Sequence, residues 1–403
     1  MNNLRSTCRP TRLNHFESFG VDGVSLRGGA RPNSPLLTEP GSRTQPVLHW
    51  RTRSSTQPPE VARFADASGR WSKGEPQDVV RTAQGPDVVP GRPVRVLVTG
   101  GSGLIGCHLT KRLLASGHQV LVVDDFSTST RANLAEVQDH PRLQILEHDV
   151  VNPLFVEVDQ IYHLACPASP VHYQRTPVKT MKTCVQGSIN MLGLARRTGA
   201  SILLSSTSEI YGDPTVHPQD ESYWGNVNPI GPRSCYDEGK RSAGALFFSY
   251  RRQYDVAIKV ARIFNTYGPN MQPDDGRVVS NFIVQALRGR ALPLFGDGSQ
   301  TRSFCYVDDL VDGLIRLMNT PGVVTGPTNF GNPDEYTMLE LAKLVIDTVG
   351  SNAGIEYLPL PEDDPQRRRP SVEQAQAVLG WRPSTALADS LVRTVEYFRT
   401  MGY

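Results

Sequence analysis

The chain has no long hydrophobic run, no C-x-x-C or closely spaced cysteine pair, and almost no net charge. No window approaches the ~18–20 continuous apolar residues of a membrane span, and the first residues lack the apolar core of a secretory signal. With 42 Lys and Arg against 40 Asp and Glu the formal charge is +2, which calls for neither nucleic acid nor an anionic membrane as a partner. The six cysteines, Cys8, Cys107, Cys166, Cys184, Cys235 and Cys305, follow neither a zinc spacing nor a disulfide framework. They read as reduced thiols of a cytoplasmic protein that holds no metal. Neither Cys166 nor Cys305 has a neighbouring thiol in the sequence that would make a redox pair.

What is present divides in two. Residues 1–92 are rich in Arg, Pro, Ser, Thr and Gly with few apolar clusters, so disorder and a dispensable extension are expected. Glu17, Asp22, Glu39, Glu60 and Asp66 dilute the charge bias that an organellar transit peptide would need. From residue 93 onward, strand and helix patterns alternate. Apolar strands are expected at 94–99, 119–123, 143–146, 160–164, 201–205 and 257–262, with helical stretches between most of them. That alternation predicts an α/β fold built on a doubly wound parallel sheet over 93–264. A smaller C-terminal lobe, 265–403, follows, with segments near 304–331 returning to the main sheet. Ligands of such a sheet bind beyond the carboxyl ends of its strands.

The first strand runs into Gly100-Gly101-Ser102-Gly103-Leu104-Ile105-Gly106. The spacing Gly101-x-Gly103-x-x-Gly106 permits a tight turn, close approach of a pyrophosphate and tight helix–strand packing, with the anion at a helix N-terminus. The second strand ends on Asp124 and Asp125, roughly the ~20 residues onward where an acidic residue meets the adenosine ribose hydroxyls. This Rossmann pattern predicts NAD, and the two carboxylates would repel the 2′-phosphate of NADP. Further strand ends supply Asp149, Val150 and Leu164. Together with Gly100, Gly103, Leu104, Ile105, Gly106, Tyr236 and Lys240, these are the expected cofactor contacts.

The 201–205 strand leads into Ser206-Thr207-Ser208-Glu209, and about 30 residues on stand Tyr236 and Lys240, one helical turn apart and so on one face. A lysine ammonium near a phenol favours phenolate, so Tyr236 is expected to be the base that takes a hydroxyl proton, with Thr207 bonded to the same oxygen.

These features resemble the extended short-chain dehydrogenase/reductase superfamily. Pro167-Ala168-Ser169-Pro170, Tyr211-Gly212-Asp213-Pro214, Asn228-Pro229-Ile230-Gly231-Pro232-Arg233, Asn265-Thr266-Tyr267-Gly268-Pro269 and Gly298-Ser299-Gln300-Thr301-Arg302 narrow the resemblance to its UDP-glucuronate decarboxylases, from about residue 95 to 398. The resemblance implies oxidation of the C4 hydroxyl of UDP-glucuronate, loss of carbon dioxide from the resulting β-keto acid, and reduction to UDP-xylose with NAD regenerated. Thr207, Glu209, Tyr236 and Lys240 would be catalytic, with Glu209 managing the proton at C5. Lys182, Asn190, Asn265, Arg277, Arg302 and Arg368 would bind the substrate, Arg277 and Arg302 at the diphosphate and Arg368 at the carboxylate. A homodimer, packed through Ala243, Leu246, Phe247 and Tyr250, is a further implication, although the same residues could cover the sheet. Two alternatives stay open: a UDP-sugar 4-epimerase, which would give Glu209 and the arginines of 367–369 no task, and a non-catalytic NAD-dependent sensor.

Overall fold

The computed structural model describes residues 93–274, 276–360, 365 and 367–403. The expectation placed on 1–92, and the loop residues Asp363, Asp364 and Gln366, lie outside the described residues. The strands are β1 Arg95–Thr99, β2 Gln119–Asp124, β3 Leu143–Glu147, β4 Gln160–His163, β5 Ser201–Thr207, β6 Ile258–Ile263, β7 Thr266–Tyr267, β8 Leu292–Phe295, β9 Thr301–Ser303, β10 Cys305–Tyr306, β11 Thr328–Phe330, β12 Glu335–Thr337, β13 Ile355–Leu358 and β14 Arg367–Arg368. The helices are α1 Leu104–Ala115, α2 Pro170–Arg175, α3 Pro177–Lys182, α4 Ser188–Thr198, α5 Ser234–Tyr254, α6 Val278–Leu287, α7 Val307–Met318, α8 Met338–Val349, α9 Glu373–Leu379 and α10 Leu387–Thr400.

Seven strands form one parallel sheet in the order β11-β6-β5-β4-β1-β2-β3. Helices cover both faces, which is why its strands read as near-continuous apolar runs. Alternation along β1 divides the core. Val96 and Val98 join Val120, Val122 and the α1 and α7 side chains on one face, while Leu97 joins Leu121, Val123 and residues of α4 and α5 on the other. The order reverses between β1 and β4, and the crevice at such a switch point is the expected ligand site. Strand β5 extends two residues past the expected Ser205, because its ladder with β6 continues to the Thr207–Ile263 pair. That extension sets Thr207 at the strand's very end.

The remaining strands form small sheets beside the crevice. β9 lies between β12, antiparallel, and β14, parallel. In that register Arg368 pairs with Arg302 and Arg367 with Thr301. Successive residues of a strand face opposite ways, so Arg367 is exposed while Arg368 is buried. Ala243 and Phe247 of α5 are buried in the layer against the sheet, with Leu246 and Tyr250 packed at its edge. Among the described residues, no helix is long and apolar enough to cross a membrane.

Candidate active site

A cleft of about 410 Å³ opens at the carboxyl ends of the central strands. Its lining contains Gly100, Gly103, Leu104, Ile105, Gly106, Asp124, Asp125, Asp149, Val150, Leu164, Thr207, Glu209, Tyr236, Lys240, Asn265, Arg277, Arg302 and Arg368. Lys182 and Asn190 are not among the residues that line it. Lys182 is exposed, and Asn190 donates to the Val150 carbonyl at 2.9 Å while accepting from Gln186. One turn earlier on α3, Lys179 reaches the cleft instead.

The glycine turn is built by close contact. A Cβ added to Gly106 would lie 2.1 Å from the Gly100 carbonyl oxygen, and one on Gly101 would lie 2.7 Å from both Val122 methyls. Only glycine permits this packing of α1 on the sheet. At Gly103, which lines the cleft, the nearest atom would be 3.3 Å away. The start of α1 follows, with the unbonded first-turn amides of a helix N-terminus. Asp124 braces this turn: its carboxylate accepts from the Ser102 amide at 2.9 Å, from the Phe126 amide at 3.0 Å and from the Ser129 hydroxyl at 2.9 Å. Lys179 pairs with Asp125 at 2.5 Å and stands 3.8 Å from Asp149. Burial opposes ionisation of Asp125, but this ammonium and the Ser127 donors outweigh it and hold the carboxyl below its usual range.

Across the cleft, α5 supplies Tyr236 and Lys240, both buried. The Tyr236 ring stacks on Tyr173 with centroids 5.0 Å apart and planes 6° from parallel, and its hydroxyl is hydrogen-bonded to Thr207. Lys240 donates to the Ser205 carbonyl at 2.8 Å, with its ammonium 5.8 Å from the Tyr236 ring centroid. The expected lowering of the phenol by this lysine is corrected here. Burial dominates and, with nearby thiols and Glu209 adding to it, pushes Tyr236 well above its ordinary value. Protein charge alone therefore leaves the phenol protonated, and a cationic ligand in the cleft would have to supply the opposite effect.

Glu209 projects from the 3-10 turn Ser208–Tyr211 that follows β5. Arg368 holds it through both terminal nitrogens, and Arg233 donates at 2.7 Å. Burial alone would raise the acid, but Arg368 and Arg233 together bring it down to about 2. Arg302 is buried in the cleft wall and donates to the Thr301 carbonyl at 2.9 Å. Arg277 precedes α6, and Asn265 stands between β6 and β7.

Residues 96–330 match the family described as NAD dependent epimerase/dehydratase. The chain belongs to this family. It is similar to UDP-glucuronic acid decarboxylase 4 of Arabidopsis thaliana, with 58 % identity over 306 residues, 76 % of this chain and 69 % of the relative. It is also similar to UDP-glucuronic acid decarboxylase 1 of Danio rerio, with 55 % identity over 304 residues, 75 % of this chain and 72 % of the relative. Among solved structures, a dTDP-glucose 4,6-dehydratase of Streptomyces venezuelae with NAD bound superposes with a TM-score of 0.69 and 28 % identity, covering 76 % of this chain and 97 % of that one.

The family's cofactor, NAD, fits what the cleft presents: a glycine turn packed too tightly for any side chain, a helix N-terminus beside it, and carboxylates at the end of β2. Arg131, the side chain that could have welcomed a 2′-phosphate, is engaged by Glu147 at 2.8 Å and lies 4.2 Å over the Phe126 ring.

Sequence reasoning missed four members of the site. Lys179 carried no motif of its own, and Arg233 closed the Asn228–Arg233 stretch, which was read without giving that arginine a role. Tyr173 enters only through its ring. Cys184 corrects the expectation that Cys166 has no partner, since their sulfurs are 3.2 Å apart although 18 residues separate them in the chain.

Proposed function

We propose that this protein decarboxylates UDP-glucuronate to UDP-xylose through a 4-keto intermediate, with NAD as a regenerated cofactor. The observation that carries the proposal is the Glu209–Arg368 pair, a carboxylate and an arginine fork facing the cleft beside the Thr207–Tyr236 hydroxyls. A guanidinium fork matches a carboxylate in bidentate geometry, so the fork that Glu209 fills suits a sugar that brings a carboxylate of its own. The names of the similar relatives point the same way.

NAD, held by the glycine turn and the strand-end carboxylates, would supply the acceptor for the C4 hydride and the donor that returns it. Tyr236 takes the C4 hydroxyl proton and, once protonated, hydrogen-bonds the enolate oxygen that forms as carbon dioxide leaves, supported by Thr207. Lys240, anchored on the Ser205 carbonyl, keeps a positive charge beside that oxygen. Arg368 turns its fork to the substrate carboxylate, while Arg233 retains Glu209 near C5. Arg277, Arg302 and Asn265 hold the nucleotide diphosphate and sugar, and the cofactor is held by the glycine turn, Asp124, Asp125, Asp149, Val150 and Leu164. In this reading 93–264 is the cofactor-binding part and 265–403 mainly the substrate lobe. Lys182 and Asn190 drop out of the substrate set.

A homodimer and a cytoplasmic setting belong to the same proposal. Sedimentation and cell fractionation test them. The reaction itself is tested by incubating the protein with UDP-glucuronate and following carbon dioxide and UDP-xylose by mass spectrometry. Interconversion of UDP-glucose and UDP-galactose with UDP-glucuronate untouched would replace the proposal by a 4-epimerase. Binding of NAD without turnover of either would leave a sensor.

A further inference from the structure

Decarboxylation has a proton balance that the groups named so far do not close. Tyr236 takes a proton from the C4 hydroxyl and gives it back when the ketone is reduced. At C5 a carboxylate leaves as carbon dioxide and a hydrogen takes its place, so each turnover consumes one proton from solvent. Glu209 faces C5 in the proposed reaction, but the two guanidinium groups keep it ionised. It can hand over a proton only if one is brought to it.

Behind Glu209 lies a second cavity, of about 220 Å³, with room for several water molecules. Glu209 and Arg233 line both spaces and form the wall between them. At the outer rim stand Asp213, Asn226 and Asn228, all exposed. At the inner end is Asp237, which does not line the main cleft. It is 5 % exposed, and its Oδ1 has no hydrogen-bond partner among the described residues. A buried carboxylate oxygen left in that state is costly unless the group carries a proton or meets water.

We propose that Asp237 is the proton inlet of the decarboxylation, drawing protons from solvent through this cavity and passing them by way of Glu209 to C5. The inference rests on the decarboxylase reading. Asp237 is a positioning residue, acting through Glu209 and not on the sugar. Its O–H gives a proton to cavity water, and water gives one to the Glu209 carboxylate. The new O–H bond of Glu209 then breaks as the electron pair of the enolate forms the C5–H bond. Asp237 regains a proton from solvent at the rim, and nothing is oxidised or reduced. The charges facing Asp237 suit the task. Burial and then the Glu209 anion raise its acid to about 7, against the opposing pull of Arg233 and Arg368, with Glu238 adding on its own helix. Among the described residues Tyr173, from α2, also interacts electrostatically with it.

The test is Asp237→Asn in the full chain supplied with NAD and UDP-glucuronate, measuring carbon dioxide, UDP-xylose and released 4-keto sugar nucleotide from pH 6 to 9. Carbon dioxide release should continue, while the UDP-xylose formed per carbon dioxide falls by about tenfold, less than the 10²–10⁴ of a direct acid–base group. The 4-keto compound makes up the difference, and Asp237→Glu restores part of the yield. In the wild type the same ratio should fall above pH ~7, where Asp237 loses its proton, and the Asn variant should show no such limb. A variant with the wild-type ratio, even if less heat-stable, makes Asp237 structural and overturns the proposal. If the Asn variant does not fold, a wild-type ratio that is flat from pH 6 to 9 overturns it equally. A wild type that releases no carbon dioxide would fail the decarboxylase reading itself.

Discussion

Arg368 binds both carboxylate oxygens of Glu209 across 159 residues of sequence, its Nη2 at 3.1 Å from Oε2. The strand that delivers it is two residues long; it pairs with β9, and the next residue, Arg369, exchanges hydrogen bonds with Gln219. This arginine is therefore engaged by a carboxylate of the chain itself, in the position where the proposed substrate brings its own. Glu209→Gln keeps the size and one acceptor but removes proton transfer. We expect UDP-xylose formation to fall by roughly 10²-fold or more, with substrate binding intact or tighter because Arg368 no longer has a competing anion. Turnover at the wild-type rate would remove Glu209 from the chemistry at C5.

Tyr236→Phe separates the ring from its hydroxyl. The stack on Tyr173 and the burial of the ring are unchanged by the substitution, so the fold and both ligand sites should survive. Turnover should drop by about 10³-fold, within the range of a lost general base. Thermal shift with NAD and with UDP should match the wild type. Residual turnover above a tenth of normal would assign the proton transfer elsewhere.

The two diphosphate candidates act on binding more than on rate. Truncating Arg277 or Arg302 to Ala removes a charged hydrogen-bond donor of about 1.5–3 kcal/mol. KM for UDP-glucuronate is expected to rise about 10- to 100-fold, with a smaller change in kcat. Arg302 also sits in the β9 register beside Arg368, so its variant should lose somewhat more kcat than that of Arg277. Equal KM in both variants and wild type would place the diphosphate on other residues.

The parts of the site that a local pattern determines were legible in the sequence. The glycine turn, the acidic end of β2 and the Tyr236/Lys240 face each depend on spacing within one element, and the structure sets all of them around one cleft. What was not legible depends on contacts between distant segments. Lys240 bonds the Ser205 carbonyl instead of acting directly on the phenol, and the Cys166–Cys184 approach follows from how the turn before α4 packs on α5. A Cβ on Gly239 of α5 would come within 3.1 Å of the Cys184 sulfur. Charge balance at Glu209 is another such property, since Arg233 and Arg368 arrive from 24 and 159 residues further along the chain.

The same cluster should give the protein's stability two opposed pH slopes. Glu209 is depressed from the ordinary glutamate range to about 2 in the folded state. Its stabilising contribution is therefore fully present above pH ~4.5 and lost as pH falls towards 2, with a total of about 3 kcal/mol from the shift. Asp237 is displaced the other way, to about 7. The folded state holds its proton more tightly than the unfolded chain does, so stability falls as pH rises from the ordinary aspartate range through 7, and above that the cost is fully present. Two variants read the two slopes apart. Glu209→Gln should flatten the acid limb of Tm against pH while lowering Tm at neutral pH, because two buried guanidinium groups lose their anion. Asp237→Asn should flatten the limb between pH 5 and 7 and leave Tm at pH 8 equal to or above that of the wild type. A lower Tm for Asp237→Asn at pH 8 would mean that the carboxylate is held by favourable contacts, and the strained, proton-holding state assigned to it would be wrong.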